Sequence, residues 1–191
     1  MRLGIFGGSF DPPHIGHLLA AVDAFEALDL DKLIFIPTAV QPLKKGAIGA
    51  TAQQRLAMVR LLVDNDPRFD VDPVEIERAG LSYTVDTLET FAQRFASAER
   101  FFLVGEDAMT AFGAWREPQR ILTLARLAIL RRPAGGAVEP RSAPDGTIAL
   151  ATRLVEVSST EIRERVRTDK SIRGFVPDSV ASFIETERLY R

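Results

Sequence analysis

Both histidines of the chain, His14 and His17, lie three residues apart in GIFGGSFDPPHIGH, residues Gly4 to His17, behind a pair of glycines and a pair of prolines. Three-residue spacing puts two side chains on one face of a helix, and a helix's first turn is electropositive because its amides lack intrahelical partners. Two imidazoles placed there can donate to a single polyanion. The preceding residues supply the context. An apolar run ending at Phe6, followed by Gly7, Gly8 and Ser9, reads as a buried strand turning into a helix near His14, which leaves main-chain N–H groups facing a crevice at the carboxyl end of a sheet. Glycine permits positive φ and close approach of a ligand to the backbone, while Pro12 and Pro13 stiffen the turn. The chemistry favoured is phosphate binding by the amides around Gly8, Ser9 and Phe10 together with His14 and His17. Taken singly, each histidine has a plainer explanation, a core hydrogen bond for His17 and a solvated surface for His14. A metal site would need a carboxylate or thiolate at a recognisable spacing; none accompanies the pair, and no metal ligand is assigned.

Far along the chain, SSTEIRERVRT begins at Ser158 with Ser158 and Glu161 spaced as a capping box. By itself this is a capped, solvated helix of mixed charge. Together with a histidine-bearing phosphate turn it is a second anion site, offering the hydroxyls of Ser158, Ser159 and Thr160, unpaired amides, and Arg163 one helical turn further on.

These segments need a scaffold. Apolar runs at Leu3–Phe6, Lys32–Pro37, Arg100–Gly105 and Arg126–Arg132 are short and bounded by Gly, Pro or charge, as strands buried on both faces are. Between them, HLLAAVDAFEAL, TAQQRLAMVRLLVDN with Thr51 as N-cap, and TVDTLETFAQRFA over 84–96 have helical spacing. Strand alternating with helix predicts an α/β, Rossmann-like three-layer fold: a mostly parallel sheet flanked by helices. A small helical C-terminal part follows, one helix from Ser158 and another with Pro177 at its first position. Pro and Gly gather at Gln41–Ala50, a candidate lid or substrate loop, and at Arg132–Gly146, a surface excursion. No repeat and no linker divides residues 1–191, which are expected to form a single domain.

Composition narrows the function. A chain of 191 residues with 46% hydrophobic and 26% charged residues is globular, and a formal charge of −2 argues against a general binder of nucleic acid or anionic membrane. With no cysteine there is no disulfide framework and no thiolate chemistry, which is compatible with a reducing compartment. The first residues run into glycines rather than a secretory apolar segment, so a cytoplasmic location is expected.

The stretch GGSFDPPHIGH resembles the signature of nucleotidyltransferases that carry a His-x-Gly-His motif, and within them the nicotinate-mononucleotide adenylyltransferase family. The similarity continues through SYTVDTL (Ser82–Leu88), FLVGEDAM, Trp115 in FGAWRE, LRRP (Leu130–Pro133), VSSTEIR (Val157–Arg163) and VPDSVASFIETERLY. The His-x-Gly-His and Ser-Ser-Thr-x-Ile-Arg elements are shared with other adenylyl- and cytidylyltransferases and point to the reaction; SYTVDT and Trp115 point to the acceptor. The resemblance implies transfer of AMP from ATP to nicotinate mononucleotide, giving deamido-NAD and pyrophosphate in NAD biosynthesis, with Mg²⁺ bound alongside ATP. Its implied catalytic residues are His14, His17 and Arg163, the last directed at the β- and γ-phosphates. ATP would be held by Gly8, Ser9, Phe10, Gly105, Asp107, Ser158, Ser159 and Ile162 as well. The acceptor would meet Lys44, Thr84, Trp115 and Arg132, with Trp115 stacked on the pyridine ring and nearby main-chain donors on its carboxylate. A homo-oligomer is compatible with the resemblance; nucleic acid and membrane are not expected partners.

Two departures stand out. Gln41, Pro42, Leu43 and Lys44 occupy the place of a family Pro-Pro-His-Lys, losing the histidine but keeping the lysine, and Gly105-Glu106-Asp107 replaces Gly-Ala-Asp or Gly-Ser-Asp. The competing readings are pantetheine-phosphate adenylyltransferase, whose members carry Thr in place of the first histidine and lack SYTVDT and the tryptophan, and a non-catalytic nucleotide sensor. A fragment of a class I aminoacyl-tRNA synthetase would show a Lys-Met-Ser-Lys loop and a basic face, which this chain does not.

Overall fold

The computed structural model describes residues 1–40, 49–131, 144–153 and 155–191. The chain begins with β1 (Arg2–Gly8), α1 (Ile15–Ala27), β2 (Lys32–Pro37), α2 (Ala52–Leu62), β3 (Phe69–Val71), α3 (Val74–Arg78) and α4 (Thr84–Arg94). It continues with β4 (Glu99–Gly105), α5 (Glu106–Met109), a 3₁₀ turn (Phe112–Ala114), α6 (Pro118–Leu124), β5 (Arg126–Arg131), β6 (Ile148–Ala151), α7 (Ser159–Arg167) and α8 (Asp178–Thr186). The strands form one sheet in the order β3-β2-β1-β4-β5-β6, and every neighbouring pair is parallel.

The direction of strand succession therefore reverses between β1 and β4, and the crevice beyond their carboxyl ends is where α/β sheets of this order bind ligands. The register Phe6↔Leu103 sets the ends of the two strands, Gly8 and Gly105, beside each other at that crevice.

Side-chain alternation explains the layers. Phe6, Leu33, Phe35, Phe101, Leu103, Ala128 and Leu130 face one way, into a core closed by residues of α1, α2, α7 and α8. Leu3, Ile5, Ile34, Ile36, Phe102, Val104, Leu127 and Ile129 face the other, into a core closed by α3, α4 and α6. A strand with apolar residues at both parities has to be covered on both faces.

The four expected strands and the long helices are present. The sequence missed β3 and β6, which lie at the sheet's two edges; three and four residues are too few to display a period of two. It also missed the short α3, α5 and α6. Thr51 caps α2 as expected, its hydroxyl accepting from Gln54 N–H at 3.2 Å while the Gln54 side chain accepts from Thr51 N–H at 3.0 Å. Pro177 stands at the N-cap of α8 rather than at its first helical position. The expected positive φ at the glycine pair is not found: Gly7 and Gly8 are extended strand, and the left-handed residue of the turn is Phe10, at φ 49°. Gly8 is needed for space instead, because a Cβ there would lie 2.8 Å from the Phe10 ring, which folds back beneath the loop. Lys44, Leu43 and Arg132 lie outside the described residues.

Candidate active site

His14 is the N-cap of α1 and is 7% exposed; His17, in the first turn, is partly buried. Their rings lie face to face, centroids 3.7 Å apart and tilted by 31°. The intervening Gly16 permits this, since a Cβ on it would stand 3.0 Å from His14 Nδ1. His17 also presses edge-on against Phe10, 5.1 Å between centroids, so the buried aromatic of the turn fixes the imidazole from below. The His14 backbone N–H donates to His17 Nδ1 at 3.1 Å. That bond makes Nδ1 the acceptor nitrogen, and in a neutral ring the proton is then on Nε2. His17 is thus held as a donor at the positive end of a helix. The solvated reading of His14 does not hold.

The two phosphate-type segments, far apart in sequence, meet here. Ser159 Oγ donates to Pro12 O at 2.8 Å, and Arg163 Nη1 donates to Asp11 O at 2.7 Å. The N-terminus of α7 is fastened to the turn that carries the histidines. Ser159 Oγ is committed to Pro12 O, whereas Ser158 Oγ accepts from Glu161 N–H and Thr160 Oγ1 from Arg163 Nη2, which leaves each of these two hydroxyls a proton to donate. What α7 offers an anion is the first-turn amides of Ser159 and Thr160, the hydroxyl protons of Ser158 and Thr160, and the remaining guanidinium donors of Arg163. Ile162 is fully buried in the core and its amide bonds to Ser158 O, so its side chain supports the site from beneath.

Under the turn lies a buried polar network that sequence reasoning missed. Asp11, 5% exposed, accepts from Gly49 N–H (2.8 Å), Ala50 N–H (3.1 Å) and the Tyr190 hydroxyl (2.8 Å). Burial and the adjacent Asp11 carboxylate push the Tyr190 phenol far above its ordinary range, so it remains a donor. Arg55, on α2 and 1% exposed, donates to Ser9 O (2.7 Å), Thr38 O (2.6 Å) and Ala39 O (3.1 Å). Burial pulls its guanidinium down, and Asp11, Tyr190 and Glu75 oppose that. Burial likewise pushes Glu75 up, against hydrogen bonds from Thr87 and Ser82 and the charges of Arg78 and Arg55. A sequence signal existed for Arg55: it sits on the same helical stripe as Met58, Val59 and Leu62, where an arginine is out of place. Asp11, between Phe10 and Pro12 in an apolar turn, gave a weaker one.

Across the crevice, Gly105 ends β4 and caps α5, with open space where a Cβ would be, and Asp107 is exposed in the first turn of α5. Thr84 is the first residue of α4, and Trp115 follows the 3₁₀ turn. Arg116 brings these last two segments together, its guanidinium carbon 4.9 Å from the centre of the Tyr83 ring and Nη1 3.5 Å from Asp86. Trp115 is half-buried against Phe102 and Phe112, and its amide already donates to Phe112 O at 3.0 Å. The expected main-chain donors must therefore be others. Among the described residues no group of three or more His, Asp or Glu side chains is arranged to hold a metal ion, and no helix is long and apolar enough to cross a membrane.

The family model described as cytidylyltransferase-like matches residues 5–165. A probable nicotinate-nucleotide adenylyltransferase of Gemmatimonas aurantiaca is 51% identical over 197 aligned positions, covering 100% of this chain and 93% of that protein. One of the same description from Thermus thermophilus is 44% identical, covering 100% of both chains. The fold is shared with a Plasmodium falciparum nicotinic acid mononucleotide adenylyltransferase complexed with NaAD, at a TM-score of 0.77 and 16% identity, over 99% of this chain and 97% of that one.

Proposed function

This chain belongs to the cytidylyltransferase-like family, in its nicotinate-nucleotide adenylyltransferase branch, and we propose that it transfers the AMP moiety of ATP to nicotinate mononucleotide, giving deamido-NAD and pyrophosphate. The observation that carries the chemistry is the fastening of the α7 N-terminus to the histidine turn at the sheet's switch point. Two donor-rich helix ends converge on one crevice, as a triphosphate requires.

In this reaction an oxygen of the acceptor's 5′-phosphate attacks the α-phosphorus of ATP, the bond from that phosphorus to the bridging oxygen breaks, and pyrophosphate leaves with the electron pair. The attacking oxygen is already anionic at neutral pH, so no general base is needed. What remains is to hold two polyanions in line and to stabilise charge developing on the α-phosphoryl and leaving oxygens. His17 Nε2–H and His14 serve the α-phosphoryl group, and the amides around Gly8, Ser9 and Phe10 line its approach. Arg163 and the first-turn amides of α7 take the β- and γ-phosphates. Gly105 and Asp107 lie where adenosine would rest, the carboxylate accepting from ribose hydroxyls. Trp115 and Thr84 contact the pyridine nucleotide, and Lys44 and Arg132 add positive charge.

Magnesium enters as the counter-ion of ATP, screening its phosphate charge. The buried Asp11 carboxylate beneath the turn is occupied by three donors, and no group of three His, Asp or Glu side chains among the described residues is arranged to add a protein-held magnesium site to it. The cysteine-free composition suits the cytoplasm, where ATP is supplied.

The test is pyrophosphate release by purified protein with ATP, Mg²⁺ and nicotinate mononucleotide, nicotinamide mononucleotide or phosphopantetheine. Nicotinate mononucleotide is expected to be strongly preferred. Preference for phosphopantetheine would favour the related adenylyltransferase, and no release with any acceptor would leave a nucleotide-binding sensor.

A further inference from the structure

We propose that Arg55 is a positioning residue for the transfer: its guanidinium fixes the separation between the loop after β1 and the loop after β2, and through it the in-line distance between the two reacting phosphates. The inference rests on the adenylyl-transfer reading above.

The geometry is that of a clamp. Nη1 holds Ser9 O in the phosphate turn, while Nη2 holds Thr38 O and Ala39 O just beyond β2. The second loop leads to the acceptor side, because Ala39 N–H donates to Ser82 Oγ (2.9 Å) and Ser82 N–H to Val40 O (2.8 Å), two residues before Thr84 starts α4. One rigid, planar cation therefore ties the donor's loop to the acceptor's loop, and the helix that carries it is anchored in the core by the buried Leu56, Met58, Val59 and Leu62. At 1% exposure it does not reach substrate and can act only through those carbonyls.

A purely stabilising role fits poorly. Arg55 Nε and Glu75 Oε2 are both buried and have no hydrogen-bond partner among the described residues. A partly satisfied buried charge is usually no more stabilising than an apolar side chain of similar size, and such departures from packing rules concentrate at functional sites.

Arg55→Lys keeps the charge but replaces the fork with a single point that cannot span both loops. Because a misplacement of about 1 Å can cost ~10²-fold in rate, kcat should fall ~10–10²-fold while KM for each substrate stays within ~3-fold. Arg55→Ala should lose more, and millimolar guanidinium should restore part of its rate. Arg55→Lys with kcat within twofold of wild type and only a lowered Tm would overturn the proposal, as would a loss confined to KM. Should the wild-type protein release no pyrophosphate, the transfer reading falls and the clamp is judged by binding alone. Trp115, the single tryptophan, reports titration with nicotinate mononucleotide in the presence and absence of α,β-methylene-ATP. A dependence of one ligand on the other that Arg55→Lys abolishes supports the clamp; the same dependence in both proteins, or none in wild type, refutes it.

Discussion

His17 does two things that mutation can separate. Its Nδ1 accepts from the His14 amide, the reciprocal half of a capping box, and its Nε2–H is the donor assigned to the α-phosphoryl group. Replacement by alanine removes both. Losing the cap acceptor costs ~0.5–2 kcal/mol, and losing the edge contact with Phe10 a further ~0.5–1.5 kcal/mol. For a chain of this size that total lowers Tm by roughly 2–14 °C. Losing a transition-state donor worth ~2.7–4 kcal/mol lowers kcat ~10²–10³-fold. Asparagine divides the effects, because its carbonyl oxygen can still accept from His14 N–H but no group replaces Nε2–H at the ring's far edge. His17→Asn should therefore recover the cap's share of Tm while kcat stays ~10²-fold down. Steady-state pyrophosphate release and thermal melting on the same samples provide the readout. If His17→Ala keeps kcat within a few-fold of wild type while melting earlier, or if asparagine restores kcat along with Tm, the histidine is a structural cap and the assigned chemistry is wrong.

Two further outcomes follow from the network under the turn. Tyr190→Phe removes one of three donors from the buried Asp11 carboxylate; a hydrogen bond to a charged group is worth ~1.5–3 kcal/mol, so Tm should drop by roughly 3–12 °C, and an unchanged melt would contradict the bond's role. Glu75 is pushed up by burial, so folding shifts it toward its neutral form relative to the unfolded chain. Its contribution is fully present below the ordinary carboxylate range and declines as pH rises through that range toward the raised value. Glu75→Gln should accordingly gain stability relative to wild type as pH increases, with little difference near pH 4; urea denaturation across pH would show the reverse trend if the carboxylate were instead held charged by Arg55 and Arg78.

Much of the site was legible because its logic is local. A strand, a glycine pair, a stiff turn and two histidines three apart specify a helix N-terminus that can hold phosphate, and Ser158 announces a second helix start by its own capping pattern. The paired parities of Phe101, Phe102, Leu103 and Val104 foretold a sheet covered on both faces. Less was readable where a residue's role depends on a partner distant in the chain. Asp11 and Tyr190 are 179 positions apart, and neither residue's type says that the other completes it. Gly8 shows the same limit from another side: glycine there reflects the Phe10 ring packed against it, not a left-handed backbone.

By itself the sequence determined the strand–turn–helix units and their order and singled out the candidate donor groups, because period, capping and turn chemistry act over a few residues. Only the tertiary structure decided that the sheet reverses direction between β1 and β4, so that the two donor-rich helix ends face one crevice. It also decided which carbonyls Arg55 holds, that Arg163 and Ser159 fasten the histidine turn, and that the His14 amide fixes the His17 ring. Those choices are made by pairing and packing between segments far apart in the chain, where solvent exclusion and hydrogen-bond satisfaction of buried groups leave few arrangements that bury the core without stranding charge.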